Sequence, residues 1–217
     1  MTIITIASSK GGAGKTTLAQ ILAGSVAERG HRVAVIDADL NHSFATWAKT
    51  FQRYPLSVHE ELREGKIIPL ADRLAQDHDL VVIDTAGTAT QATIYAMGIA
   101  DMVLIPIQAS ASDVVEGLKT KERVDGAARV ARRAIPAYAV MSDYQPNTVI
   151  SAHVEDELAS CNLPILDTKL NRLVAVKEMT FNGEVPAASK TGGLVTQQIV
   201  ELGNVGALPF LTMKAAS

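Results

Sequence analysis

Lys10-Gly11-Gly12-Ala13-Gly14-Lys15-Thr16-Thr17 gathers small residues, two amines and two hydroxyls into one short stretch. That combination suits a polyphosphate. Residues with little or no side chain let backbone N–H groups close on an anion, and a helix starting there adds its positive dipole end. The segment matches the phosphate-loop pattern G-x-x-x-x-G-K-[ST] in modified form, with Ser9 at the place of the first glycine. Gly11, Gly12, Ala13, Gly14 and Thr17 are expected to wrap the phosphates. Lys15 is expected to reach the β- and γ-phosphates of ATP, and the Thr16 hydroxyl to bind Mg²⁺.

Two acidic segments follow. Val33-Ala34-Val35-Ile36 leads into Asp37-Ala38-Asp39, which places two carboxylates at the C-terminal edge of a strand, where ligands bind in open α/β sheets. Side chains alternate along a strand, so Asp37 and Asp39 would share a face, although a strand-end aspartate also serves as an N-cap for the next helix. Leu80-Val81-Val82-Ile83 ends in Asp84. A carboxylate there is expected to hold Mg²⁺ through its water, and Gly87 leaves room for a γ-phosphate. His31, His42, His59, His78 and His153 are scattered, with no metal-ligand spacing.

Apolar runs alternate with longer segments of helical period, the pattern of a parallel sheet covered on both faces. Strands are expected at 3–7, 32–36, 80–83, 102–107, 137–141 and 164–166. Helices are expected at 15–29, 44–51, 70–76, 91–99, 112–133, 148–160 and 196–202. The fold class is α/β: one phosphate-loop domain over 1–217, with a mostly parallel twisted sheet and no N-terminal helix-turn-helix module. A hydrophobic fraction of 47% against 20% charged excludes a disordered chain. The one cysteine, Cys161, excludes a disulfide framework or a self-contained iron–sulfur ligand set. No apolar run reaches the length of about 18 residues that suggests a membrane span, and no secretory signal opens the chain.

With Lys10 opening the loop, K-G-G-x-G-K-T-T resembles the deviant Walker A motif of the ParA/MinD ATPases. The resemblance implies that Lys10 reaches across a nucleotide-sandwich homodimer to the partner's phosphates. Asp37-Ala38-Asp39 resembles the family's D-x-D-P-Q switch, with Leu40 and Asn41 in place of Pro-Gln. On that match Asp39 positions the attacking water and Asp37 supports the Mg²⁺ shell. Leu104 to Gln108 resembles the fourth-strand motif. Asn171, Arg172, Glu178 and 183–186 resemble the adenine-side segment, which adds Arg172 to the nucleotide set. The short partition ATPases imply a cycle: ATP and Mg²⁺ drive dimerisation, and the dimer binds DNA without sequence preference. A ParB-like adaptor then stimulates slow hydrolysis, which resets the switch and moves a plasmid or chromosomal cargo. Such a protein is cytoplasmic and associates with the nucleoid when ATP-bound. VirC-type DNA-transfer ATPases and ATPases that position protein cargo are close cousins.

Two other functional classes share this loop motif. A MinD-like membrane cycle needs a C-terminal amphipathic helix with a basic face. Residues 203–217 carry Gly203, Gly206, Pro209 and the lone cation Lys214, so no membrane partner is expected. Iron-protein reductases need two cysteines per subunit, whereas an ATP-dependent ligase of the same superfamily stays open.

The net charge of −3 opposes constitutive tight nucleic-acid binding. It is unevenly spread: −4 over residues 1–118 (9 cationic, 13 anionic) and +1 over the remainder (11 and 10). Lys119, Arg129, Arg132 and Arg133 lie in one basic run and are the candidate DNA contacts. A solvated helix face explains such a run equally well.

Overall fold

The apolar runs become the middle layer of the protein. A computed structural model describes residues 1–87, 90–146, 148–167, 169–170 and 174–185. Six strands form one parallel sheet: β1 (Thr2–Ile6), β2 (Val33–Ala38), β3 (Leu56–Glu60), β4 (Leu80–Thr85), β5 (Met102–Ile107) and β6 (Ala137–Met141), in the order β3-β2-β4-β1-β5-β6. β1, β2, β4 and β5 are buried at every position. Strands covered on both faces need no polar alternation, so these read as continuous aliphatic runs.

Alternate residues divide between the two faces of the sheet, where they join three packed clusters. Ile4, Ile6, Val33, Val35, Leu80 and Val82 pack with helix α1 (Lys15–Glu28), Phe44 and Trp47 of α2 (Ser43–Phe51) and Met179 of α7 (Val174–Asn182). Ile3, Ala34, Ile36, Val81 and Ile83 face α3 (Glu64–Asp77) and α4 (Gln91–Ile99). Val103, Ile105, Ala139 and Met141 meet α5 (Ala111–Ala131) and α6 (Val149–Ser160). The period-two division comes from the strand itself. The Phe44 and Trp47 rings meet edge-on with centroids 5.6 Å apart. Truncating a buried aromatic removes about 3–5 kcal/mol, so this pair pins α2 and the loop before it.

Helix starts follow local chemistry. Thr90, Ser110 and Thr148 accept from the backbone N–H groups of Thr93, Asp113 and Ser151, capping α4, α5 and α6. α1 begins differently. Its cap residue Gly14 is left-handed, with φ of 97°, and offers no side-chain acceptor. The first helical bond runs from Leu18 N–H to Gly14 O, so the preceding turn keeps its donors for an outside acceptor.

Several expected elements differ. β2 continues through Asp37 to Ala38, so Asp37 lies within the strand rather than beyond it. The edge strand β3 was not anticipated; its sequence Leu56-Ser57-Val58-His59-Glu60 alternates apolar with polar, and it is only half-buried. α3 begins six residues before the expected start at Leu70, with Pro69 inside it. Pro69 is the sixth residue of α3, past the first turn, so it removes the N–H that would have bonded to Gly65 O. The expected strand at 164–166 reduces to a single parallel bridge from Ile165 to Ala139. α7 was not foreseen. The helix expected at 196–202 and the candidate Arg172 lie outside the described residues. Among the described residues, no helix is long and apolar enough to cross a membrane.

Candidate functional site

The C-terminal ends of β1, β2 and β4 converge on one cavity of about 630 Å³. It is lined by Gly11, Gly12, Gly14, Lys15, Thr16, Thr17, Asp39, Leu40, Asn41, Ser43, Ala86 and Gly87. Most of the residues selected by sequence pattern therefore come together. Ala13 is buried beneath the loop, and its carbonyl accepts from the Ser142 hydroxyl at 2.8 Å.

Register explains how the carboxylates meet. Asp37 and Asp84 are paired neighbours on β2 and β4, and Ile6, the last residue of β1, is paired with Asp84. Both aspartates are fully buried, but their surroundings differ. Asp37 is satisfied: its Oδ1 accepts from Asp39 N–H at 3.1 Å and its Oδ2 from Ala45 N–H at 2.9 Å. From within the strand it thus binds the backbone at Asp39 and at the start of α2, whose N-cap residue is His42. Burial nevertheless pushes its carboxyl above the usual range, against the pull of those two N–H groups.

Neither oxygen of Asp84 has a hydrogen-bond partner. Burial drives its carboxyl up to about 7. Thr16 lies near enough to favour the charged form, without reaching hydrogen-bond geometry, and Lys15 pulls the same way. Lys15 is 6% exposed, and its amine donates to the Lys10 carbonyl at 3.0 Å. Burial lowers its pKa, while Asp84 and Asp39 oppose the shift. Unpartnered buried carboxylate oxygens are destabilising unless a proton or cation reaches them.

Gly87 marks the closest approach of the β4 loop to the phosphate loop. A Cβ there would stand 3.0 Å from Gly11 Cα and 3.4 Å from Lys15 Nζ. The donor set fits Mg²⁺ with a polyphosphate: a hydroxyl at Thr16, one unpartnered carboxylate at Asp84, and a cradle whose floor a side chain would fill. Among the described residues no group of three or more His, Cys, Asp or Glu could hold a metal alone. Mg²⁺ commonly takes one or two protein ligands and completes its shell with water and phosphate oxygens.

Lys10 points away from this cavity. Its amine donates to Asp113 Oδ2 at 2.6 Å and Ser112 Oγ at 3.1 Å, at the start of α5. Other contacts were not legible in the sequence. Gln108 Nε2 donates to Gly12 O at 2.9 Å, Ser9 N–H donates to Thr120 Oγ1 at 3.2 Å, and Arg123 donates to Ser9 Oγ. These partners lie about a hundred residues from the loop, and only Gln108 carried a motif signal.

The basic run is partly neutralised. Lys119 pairs with Glu116 at 2.7 Å and Lys121 with Asp125 at 2.6 Å, while Arg133 keeps its charge and donates to Ala100 O at 2.7 Å at the end of α4. Arg129 and Arg132 are exposed.

The sequence model of the CobQ/CobB/MinD/ParA nucleotide binding domain matches residues 4–187. The chain belongs to this family. Protein ParA of Rhizobium radiobacter is 31% identical over 125 residues, covering 57% of this chain and 56% of that protein. The chain thus aligns with about half the length of that relative. Protein virC1 of Rhizobium rhizogenes is 30% identical over 192 residues, covering 84% of this chain and 82% of that protein. The fold of this ParA/MinD family member is shared with a Cyanothece McdA(D38A)–ATP complex, at TM-score 0.78 and 17% identity over 95% of this chain and 96% of that one.

Proposed function

We propose that this ParA/MinD family member is a partition-type ATPase whose bound nucleotide switches it between a monomer and a DNA-binding homodimer. The observation that carries the reading is Asp84: a buried carboxylate with two unpartnered oxygens, close to the Lys15 and Thr16 that line the glycine-rich cavity. That arrangement is incomplete without a cation and an anion together.

In this reading the free N–H groups at the start of α1 and the Lys15 amine bind the β- and γ-phosphates of ATP. Thr16 and Asp84 hold Mg²⁺, which neutralises charge building on the phosphoryl oxygens. Asp37 shapes the metal side by holding the switch loop, since both its oxygens are engaged with backbone N–H groups. Asp39, at the cavity wall, orients the attacking water. Gly87 meets the γ-phosphate through its backbone N–H, and a side chain there would displace Gly11.

Dimerisation calls on Lys10. Its ion pair with Asp113 holds it within its own subunit, and the Lys10 side chain is 36% exposed. Releasing it to a partner's phosphates exchanges one anion for another and leaves the buried Asp113 carboxylate to its hydrogen bond from Ser110 Oγ, so the exchange has to offset the loss of that counter-charge. The exposed Arg129 and Arg132 are doubled in a dimer, which suits binding to duplex DNA that is weak for one copy and stronger for two. A ParB-like adaptor would stimulate hydrolysis and release, and Arg172 would contribute on the adenine side. The protein would act in the cytoplasm, on the nucleoid when ATP-bound. Light scattering tests the switch: dimer is expected with ATP and Mg²⁺, monomer with ADP or without nucleotide. A monomer under all three conditions contradicts it.

A further inference from the structure

We propose that Asn41 is a positioning residue that sets the direction of the Asp39 carboxylate; this rests on the reading of Asp39 as the group that orients water. Asp39 stands one residue beyond the end of β2, outside regular structure. Two donors from a single residue converge on one of its oxygens. Asn41 N–H donates to Asp39 Oδ1 at 2.9 Å, and Asn41 Nδ2 donates to the same atom at 3.0 Å. The backbone is held as well: Asp39 N–H donates to Asp37 Oδ1 at 3.1 Å, and Asp39 O accepts from His42 N–H at 2.9 Å.

The two Asn41 bonds differ in what they accomplish. The backbone N–H bond closes a local turn and would form with almost any residue at 41. The amide bond is specific to the Asn41 side chain. It loads Oδ1 from a second direction and restrains rotation of the carboxylate about its own axis. Oδ2 is then the oxygen with lone pairs left for a water. Asp39, Asn41, Lys15 and Thr16 line the same cavity, so that water would meet the phosphate end of a bound nucleotide. A group that orients a nucleophile loses rate when its direction is lost, even while its charge remains. Asn41 does not touch the reacting atoms; it acts through Asp39.

Single-turnover hydrolysis of ATP, with nucleotide affinity measured separately, tests this on four variants of the full chain. Asn41→Ala is expected to slow hydrolysis about tenfold while leaving affinity within about twofold. Asn41→Gln, which keeps an amide donor on a longer arm, is expected to recover most of that loss. Asp39→Ala is expected to slow hydrolysis about a hundredfold or more. Asp39→Ala combined with Asn41→Ala should be no slower than Asp39→Ala alone, because the amide then has nothing to orient. Wild-type hydrolysis in Asn41→Ala, beside a slow Asp39→Ala, overturns the inference and spares the reading of Asp39. So does a double variant slower than wild type by the product of the two single losses. A wild-type rate in Asp39→Ala overturns the underlying reading and the inference with it. Matching thermal melts without nucleotide keep a folding defect apart from these outcomes.

Discussion

Asp84→Asn removes a buried charge that the metal-free protein must carry near neutral pH, so it should stabilise the apoprotein while destroying its response to Mg²⁺. The carboxyl is raised from an ordinary 3.8 to about 7, chiefly by burial. Its folded form therefore binds a proton more tightly than its unfolded form. The stability linked to that proton is fully present below about 3.8 and is lost as pH rises through about 7. Across the whole window this amounts to about 4 kcal/mol. Asparagine has no such proton, so its advantage over wild type should grow by about 2 kcal/mol between about pH 5.5 and pH 8. Urea unfolding in the presence of a chelator measures this directly, and comparing the two proteins at each pH cancels the other titrating groups. ATP with Mg²⁺ should then reverse the order, stabilising wild type by mass action and the variant far less. A stability difference that does not change with pH would refute the reasoning, because it would mean that Asp84 is paired or solvated in the folded state.

Four further outcomes follow from the same geometry. Lys15→Ala should weaken ATP binding at least a hundredfold, roughly 3 kcal/mol for a charge-assisted contact to phosphate, as read by calorimetry. Lys10→Ala should keep nucleotide affinity within a few-fold yet remain monomeric with ATP in light scattering; a normal dimer would remove the cross-subunit role. Gly87→Ala places a Cβ 3.0 Å from Gly11 Cα, so it should lower ATP affinity roughly tenfold by displacing the loop, with a folded structure by circular dichroism. Charge reversal at Arg129 and Arg132 should weaken DNA affinity and flatten its salt dependence while leaving ATP binding intact. An unchanged salt slope would take that end of α5 out of the DNA surface.

The phosphate loop and the strands behind it were legible because their signals are local. A glycine-rich turn between an aliphatic run and a helix carries its own chemistry, and Val, Ile and Leu in fully buried strands leave little ambiguity. Asp37 shows where local reading stops. Sequence spacing placed it with Asp39 at a ligand edge, but the strand runs two residues further and turns its carboxylate onto the start of α2. Asp84 was chosen for its position after a strand, yet its lack of partners comes from the fold, which brings β1 and β2 to either side of β4. The Lys10–Asp113 pair and the Ser142–Ala13 bond join residues more than a hundred positions apart, and no spacing rule could have found them. β3 was missed because Ser57, His59 and Glu60 interrupt the aliphatic run that marks the fully buried strands.

The central claim is that ATP controls attachment to DNA. A mobility-shift titration on unrelated duplex DNA, run without nucleotide, with ADP and with ATP plus Mg²⁺, tests it most directly. A shift is expected only with ATP plus Mg²⁺, at least tenfold tighter than in the other two conditions and steeply weakened by salt. Equal binding in all three conditions, or none in any, would contradict it.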